Sequence, residues 1–208
     1  MAYESFAELL AHDAEVFIYD SLESTNQTAK ELATNGAKHG TIIITNRQTA
    51  GQGQYGRSFF SPDGAGIYMS IILRKAHMPN PVMLTAYAAV TVCEAIEKLT
   101  GKKPKIKWIN DVFLEGKKIC GILTQAATDV NDGSMQYAVV GIGINFSAPD
   151  DGYPDDIKNI AGAVFSDEPQ KTTRAELAAY VANGMLAMDF SEIEIAKYRG
   201  YLLMPWEL

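Results

Sequence analysis

The stretch Arg47–Ser61 (RQTAGQGQYGRSFFS) constrains this chain most. It carries glycines at positions 51, 53 and 56, and glycine permits backbone angles and close approaches that a Cβ atom forbids. A β-branched run, Thr41–Thr45 (TIIIT), enters the stretch, and an alternating pattern, Gly66–Leu73 (GIYMSIIL), leaves it. The sequence therefore predicts a loop held between two strands, in which a ligand can lie against the main chain.

This loop differs from the standard phosphate-binding loops. Gly51–Gly56 matches the letters G-x-G-x-x-G, but that fingerprint opens a helix, and the following Arg57–Pro62 (RSFFSP) does not start one. The Gly-Lys-Ser/Thr of a P-loop is absent as well. Taken alone, the loop is also compatible with a flexible surface connection. Other stretches of the chain decide between a binding loop and a surface connection.

Composition excludes several classes of function. With 208 residues, 47% of them hydrophobic, the chain can bury one sizeable core, and we expect a single domain over residues 1–208. The net charge of −7 argues against a nucleic-acid partner, because such surfaces rely on clustered lysine and arginine. No stretch is long and apolar enough for a membrane span, and the N-terminus lacks a signal peptide pattern. We expect a cytoplasmic protein with no membrane partner.

The cysteine and histidine residues predict no metal centre. Cys93 and Cys120 lie in apolar surroundings, which favours buried reduced thiols over a disulfide or a metal site. His12, His39 and His77 are isolated and show no ligand spacing. We therefore expect no structural metal ion.

Helical patterns bracket the chain and also open one wall of a possible site. Helices are predicted over residues 3–11, from Pro79 to Leu99 with a stop at Gly101, and over 172–190 and 191–202. Ser24, followed three residues later by Gln27, is typical of a capping box that opens a helix ending near Asn35 and Gly36. With Thr25 and Asn26, Ser24 also forms a set of small hydrogen-bonding residues that suits a polar pocket wall.

Three more strands are predicted, and two of them contain glycine. They are Glu15–Tyr19, Ile119–Ala126 and Tyr137–Ile144, with hairpin turns at Gly116–Lys118 and Asn131–Ser134. Interior glycines weaken a strand, so Gly121, Gly141 and Gly143 indicate a bulge or a place where a ligand presses on the sheet. Because both neighbouring strands lack side chains near the middle, the pattern favours a slot between sheet and ligand.

Residues 102–118 form a basic run. Six lysines against Asp111 and Glu115 give a local charge of +4 in a chain of −7 overall. A solvated basic face is the usual explanation of such a run. Lys107, however, lies between Ile106 and Trp108 in a strand-like apolar pattern, where its stem would pack and its ammonium would point in a definite direction. A phosphate is a natural target for it.

Taken together, these blocks resemble the biotin protein ligases, or biotin–[acetyl-CoA-carboxylase] ligases. Five blocks stand in the family's order and spacing: Ser24–Asn26, the loop RQTAGQGQYGRSFFSPDG, the strand GIYMSIIL, KWINDVFLEGKKICGIL at 107–123 and GIGIN at 141–145. The resemblance covers roughly residues 15–200. It implies an α/β (α+β) fold with a mixed, largely antiparallel central sheet flanked by helices, as in class II aminoacyl-tRNA synthetases and biotin/lipoate ligase catalytic domains.

The resemblance implies an ATP-dependent ligase. Such enzymes activate biotin as biotinyl-5'-AMP, release pyrophosphate, and transfer biotin to a lysine of the biotin carboxyl carrier protein of a biotin-dependent carboxylase. Positioning and charge stabilisation would supply most of the catalysis. By resemblance, the biotin-binding residues are Ser24, Thr25, Asn26, Gln48, Gly51, Gly121, Leu123, Gly141 and Gly143. The catalytic residues would be Lys107 and Arg57, with Gln52, Gly53, Gln54, Lys107, Asn110, Asp111 and Asn145 for the nucleotide and Asp111 for Mg²⁺.

The chain departs from the family pattern at positions near the anionic intermediate. Gln52 and Gln54 replace two arginines of the family loop, and glutamine loses both the charge and the bidentate fork. Phe59, Ile109 and Gln125 stand where the family has tryptophan, proline and glutamate. The hypothesis that follows is a more weakly held adenylate. We expect the catalytic domain only, without the DNA-binding and C-terminal β-domains, and a possible homodimer through an edge strand.

Two alternatives stay open at this point. A degenerate ligase would bind biotin or its adenylate without efficient transfer. A lipoate or octanoate transferase on the same fold would take a thin apolar chain, which gives Ser24, Thr25, Asn26 and Gln48 little to bond.

Overall fold

The computed structural model describes residues 3–74, 83–129, 131, 134–166, 169–188 and 195–204. Its strands are β1 (Val16–Leu22), β2 (Ile42–Gln48), β3 (Gly66–Arg74), β4 (Lys105–Lys107), β5 (Asp111–Leu114), β6 (Lys117–Thr128) and β7 (Met135–Asn145). Its helices are α1 (Thr25–Thr34), α2 (Leu84–Thr100), α3 (Arg174–Leu186) and α4 (Ile195–Tyr201), with short 3₁₀ turns at Ala7–Leu9 and Gln54–Gly56.

All seven strands form one sheet in the order β1-β2-β3-β7-β6-β5-β4. Strand β1 pairs with β2 in parallel, and each further neighbouring pair is antiparallel. The expected mixed, largely antiparallel sheet is therefore confirmed. The glycine loop joins β2 to β3, so it leaves and re-enters the sheet at one edge of a single antiparallel pair.

The two faces of the sheet are covered by different helices. Along β3, Ile67, Met69, Ile71 and Leu73 belong to the main core, which also includes buried residues of α2 and α3. Helix α1 lies on the opposite face, over a smaller cluster that contains Ala29, Ala33, Ile43, Ile72 and Val139. This alternation confirms the predicted two-sided pattern of β3. It also sets Ser70 and the interior glycines of β7 on the same face as α1.

Several helix boundaries agree with the sequence patterns. Ser24 is the N-cap of α1, but its side chain makes no capping hydrogen bond, so the expected capping box with Gln27 is not formed. Helix α1 ends at Asn35, as predicted. Helix α2 ends at Gly101, whose φ of +77° is left-handed and suits glycine. The predicted start of α2 at Pro79 lies outside the described residues, as do His77 and residues 189–194 between the last two helices.

Other predictions differ from the structure. The segment 3–11 holds only the 3₁₀ turn Ala7–Leu9, because Tyr3 and Phe6 anchor it in the core instead of a helical stripe. The hairpin turn before β6 is formed by Glu115 and Gly116, with φ of +50° and +76°, one residue earlier than expected. The hairpin predicted at Asn131–Ser134 includes two residues outside the described part of the chain.

The two thiols have the expected state. Cys93 and Cys120 are free and buried. Burial raises the pKa of both thiols well above the ordinary value, so they remain protonated and unreactive near neutral pH.

Candidate functional site

A cavity of about 320 Å³ lies on the α1 face of the sheet, beneath the glycine loop. This volume is within the range of small-molecule sites. Of the residues expected from the sequence, the following line it: Ser24, Thr25, Asn26, Gln48, Gln52, Gly53, Gln54, Arg57, Asn110, Asp111, Gly121, Leu123, Gly141 and Gly143. Gly51, Lys107 and Asn145 are not among its lining residues.

The N-terminus of α1 forms a polar wall of the cavity. Ser24, Thr25 and Asn26 are each at most 4% exposed. The Thr25 backbone N–H donates to Gln48 Oε1 at 2.9 Å, and the Thr25 hydroxyl donates to the same oxygen at 3.2 Å. Buried polar groups need such partners. The wall is therefore fixed by a residue 23 positions further along the chain.

Asn26 is held on three sides. Its Nδ2 donates to the Leu123 carbonyl and to Gln125 Oε1, both at 3.1 Å, and its Oδ1 accepts from the Ser70 hydroxyl at 2.7 Å. A Cβ atom on Gly141 would overlap Asn26 Oδ1. The missing side chain at Gly141 thus gives space to the Asn26 amide, which in turn sets the shape of the cavity wall.

The slot predicted between the glycines is present, and Phe59 lies in it. Gly121 and Gly143 are direct partners in the β6–β7 ladder. A Cβ atom on Gly143 would come within 2.6 Å of Phe59 Cε1, and one on Gly121 within 3.1 Å of Phe59 Cε2. The ring therefore rests directly on the backbone of both strands. A flat ligand on these glycines has to share or take this place.

The glycine loop is compact. Gly53 N–H donates to the Arg57 carbonyl at 2.7 Å, and Gln52 and Ser58 form an antiparallel bridge. Tyr55 stands at the tip with φ of +57° and is 93% exposed. Arg57 is exposed and also contributes to the cavity lining. The loop therefore places a cation at the mouth of the cavity.

Lys118 is the functional candidate that the sequence pattern missed. Its Nζ lies 2.7 Å from Asp111 Oδ1, and both residues line the cavity. Val112 pairs with Cys120 but the next residue, Phe113, pairs with Lys118, so the register passes over Ile119. Such a bulge breaks the alternation of side chains. The bulge brings Lys118 to the cavity side, and a strand read as regular conceals it.

Three expected residues make contacts away from the cavity or with the backbone. Lys107 is exposed, and its Nζ lies 5.5 Å from the centre of the Phe113 ring. Asn145 Nδ2 donates to the Gly162 carbonyl at 2.9 Å. Asn110 Nδ2 donates to the Ile122 carbonyl at 3.3 Å, while Asn110 also lines the cavity. Asn145 therefore fastens the segment after β7 to the sheet.

Aromatic residues complete the rim. Trp108 is 73% exposed and meets Tyr198 of α4 edge-on, with ring centres 5.9 Å apart. Burial raises the pKa of Tyr198 to about 12, and burial also raises the pKa of Tyr68, whose hydroxyl donates to the Pro62 carbonyl at 2.9 Å. Both phenols stay neutral near pH 7, so neither serves as a general base.

Within the described ranges, no three histidine, cysteine, aspartate or glutamate side chains converge to form a metal site. No helix in the described part of the chain is long and apolar enough to cross a membrane.

Comparison with known proteins agrees with this geometry. Residues 18–145 match the model of the biotin/lipoate A/B protein ligase family. The bifunctional ligase/repressor BirA of Bacillus spizizenii is 38% identical over 163 residues, which are 78% of this chain and 50% of BirA. The biotin–[acetyl-CoA-carboxylase] ligase of Mycobacterium tuberculosis is 32% identical over 64% of this chain and 50% of that protein.

Solved structures share the fold. A biotin protein ligase from Aquifex aeolicus in complex with biotin and ATP has a TM-score of 0.67 and 27% identity, covering 83% of this chain and 69% of that one. The present chain spans about half the length of the curated relatives named above. With a family match over residues 18–145, the chain belongs to the biotin/lipoate A/B protein ligase family.

Proposed function

We propose that this chain activates biotin with ATP to form biotinyl-5'-AMP and transfers biotin to a lysine of a biotin carboxyl carrier protein. One observation carries the proposal: a single cavity joins a buried polar wall, a glycine-backed slot and two cations. Relatives and structural neighbours named as biotin ligases support it.

The polar wall suits the ureido ring of biotin. That ring has one carbonyl acceptor and two N–H donors, so it needs a mixed set of partners. Thr25 and Gln48 offer hydroxyl and amide groups on the wall, and Gln48 retains a second amide proton on Nε2 beyond the one given to Ser61. Lipoate lacks the ureido group and would leave these buried groups unpaired. The wall therefore favours biotin over lipoate.

The charges suit an acid and a nucleotide. Among the described residues that line the cavity, Arg57 and Lys118 are cationic and Asp111 is anionic. In the first step, a biotin carboxylate oxygen attacks the α-phosphorus of ATP, a new O–P bond forms, and the bond to the β-phosphate breaks as pyrophosphate leaves. We assign to Lys118 the bridging of carboxylate and α-phosphate that the sequence pattern assigned to Lys107. Fixed positive charge at that position stabilises the transition state.

In the second step, the amine of a carrier lysine attacks the acyl carbon, and AMP leaves. Mg²⁺ that arrives with ATP would offset phosphate charge, and it commonly keeps several waters and takes one or two carboxylates. Asp111 fits that requirement, since its carboxylate lies in the cavity. It is shared with Lys118, so Lys118 becomes free for the phosphate when the carboxylate turns to the metal.

The partners and the location complete the proposal. The two buried free thiols suit the reducing cytoplasm. A homodimer would form through β1, which ends the sheet on one side, whereas Leu203 N–H donates to the Ile106 carbonyl at the β4 edge. Sedimentation analysis tests the dimer directly.

The decisive test of the function is biotin-dependent exchange of labelled pyrophosphate into ATP by this chain without carrier. Exchange that requires biotin supports the adenylating ligase. Biotin binding by calorimetry without exchange would support the degenerate binding protein. Stronger competition by lipoate than by an equal concentration of biotin would instead support the lipoate or octanoate transferase.

Replacing Gln54 by arginine should lengthen retention of the adenylate. Gln54 lines the cavity, and a guanidinium there restores a charge-assisted hydrogen bond to phosphate. We expect the half-life of bound biotinyl-AMP to rise on the order of tenfold. Release of labelled adenylate from a purified complex measures it.

The matched control for this variant is Gln27→Arg. Gln27 is exposed on α1 and its Nε2 lies 3.4 Å from Glu31 Oε1, away from the cavity lining. Equal retention in the two arginine variants would contradict the hypothesis that Gln54 weakens adenylate binding.

A further inference from the structure

Gln48 stands at the centre of a chain of buried hydrogen bonds that runs from β3 to the glycine loop. The Ser70 hydroxyl lies 2.8 Å from Thr25 Oγ1, and Thr25 Oγ1 donates to Gln48 Oε1 at 3.2 Å. On the other side, Gln48 Nε2 donates to Ser61 Oγ at 2.9 Å, and Ser61 Oγ donates to the Phe59 carbonyl at 2.9 Å. We call Ser70, Thr25, Gln48, Ser61 and the Phe59 carbonyl the relay.

The relay has one direction. Each hydroxyl has a single proton, so Thr25, which donates to Gln48, accepts from Ser70, and Ser61, which donates to Phe59, accepts from Gln48. The Gln48 amide can satisfy both neighbours only with its oxygen toward Thr25 and its nitrogen toward Ser61. Chains of this kind polarise one another and become more rigid. Ser61 is therefore the group that selects one of the two amide orientations.

Close packing of Gly51 against the relay is an independent observation. A Cβ atom on Gly51 would come within 2.5 Å of the Phe59 carbonyl oxygen, 2.7 Å of Ser61 Oγ and 3.0 Å of Gln48 Nε2. Gly51 is buried but does not line the cavity. The absence of a side chain at Gly51 thus serves the relay, whereas the sequence pattern assigned Gly51 to the ligand.

The same residues join the two ends of the loop. Gln48 N–H donates to the Ser61 carbonyl at 3.2 Å, and Phe59 N–H donates to the Gly51 carbonyl at 2.8 Å. Ser61 is only 4% exposed. Its hydroxyl therefore links the amide on the cavity wall to the strand segment that holds Phe59 over Gly121 and Gly143.

We propose that Ser61 is a positioning residue for ligand recognition: it fixes the Gln48 amide in the orientation that binds the ureido group and holds the Phe59 end of the loop. The first half of this inference rests on the proposed function. The second half does not, because the loop contacts exist without any ligand.

The test compares Ser61→Ala with Ser61→Thr, which keeps a hydroxyl. In Ser61→Ala, the calorimetric dissociation constant for biotin should rise on the order of tenfold, since Gln48 loses the partner that orients it. The KM for ATP should stay within about twofold of the original value, because no nucleotide contact is removed. Ser61→Thr should recover most of the biotin affinity.

A second readout needs no ligand. Trypsin cleaves after Arg57, and loss of the Ser61 link should speed release of the peptide ending at Arg57 several-fold, as followed by mass spectrometry. Thr100→Val is the matched control, because the buried Thr100 hydroxyl also donates to a carbonyl, that of Ile96, and accepts from Lys102 N–H, yet lies outside the cavity. Thermal unfolding of both variants gives the stability lost with each hydroxyl.

Unchanged biotin affinity and unchanged cleavage in Ser61→Ala would overturn the inference, even with a lowered melting temperature. If the unsubstituted chain itself bound no biotin, the proposed function would fall, while faster cleavage in Ser61→Ala would still establish the link to the loop.

Discussion

Lys118→Gln is expected to lower biotin-dependent pyrophosphate exchange on the order of 100-fold or more. The substitution keeps most of the side-chain volume but removes one of two cations among the described residues of the cavity lining. Loss of one preorganised group that stabilises transition-state charge has an effect of that size. It also leaves Asp111 without the ammonium 2.7 Å away. The rate should fall more than the affinity for biotin, because the charge develops during attack.

Two other lysines make this experiment selective. Lys117→Gln is the control, since Lys117 Nζ donates to the Asn159 carbonyl at 2.8 Å outside the cavity, and exchange should stay within about twofold. Lys107→Gln is the competing assignment. A large loss in Lys107→Gln, with exchange intact in Lys118→Gln, would return the role to Lys107 and show that its ammonium leaves the Phe113 ring in the working enzyme.

Gly141→Ala is expected to be the most destabilising small substitution in the site. The added methyl group would overlap the Asn26 amide, which is held by Ser70, Leu123 and Gln125 and cannot move aside without losing these bonds. Overpacking and broken bonds together should cost about 3 kcal/mol. For a chain of this length, that lowers the melting temperature by roughly 8 °C. Circular dichroism on heating measures it.

A second substitution separates the cause from a general intolerance of alanine. Asn26→Ala combined with Gly141→Ala removes the overlapping amide, so the double variant should regain stability relative to Gly141→Ala while biotin binding stays impaired. Gly200→Ala is the control, because a Cβ atom there meets nothing within 4 Å. Additive losses in the double variant would contradict direct contact between the two positions.

The sequence was most informative where a pattern is local. The β-branched run of β2 and the alternation of β3 predict buried strands because side-chain burial follows the period of two. The left-handed Gly101 likewise marks the end of α2. Residues 3–11 misled for the converse reason: Tyr3 and Phe6 are anchored by partners far along the chain, so a stripe of apolar residues there does not need a helix.

The site shows the same division. Ser24, Thr25 and Asn26 were identified as a polar wall from their position before α1, but their partners Gln48, Ser70 and Gln125 are separated from them by 23 to 99 residues. Lys118 was missed because one skipped residue, Ile119, reverses the side-chain alternation of the strand. Bulges and long-range partners depend on tertiary packing, which the residue spacing does not record.

The Phe59 ring on Gly121 and Gly143 has a consequence for how any binding constant of this protein is interpreted. The ring is tethered to the same chain, so it competes for the glycine surface at a high effective concentration. A dissociation constant measured for a ring-shaped ligand on that surface is then the intrinsic constant divided by the fraction of molecules in which Phe59 has left. The protein contains its own competitive inhibitor, and the residue at position 59 sets how strong that inhibitor is.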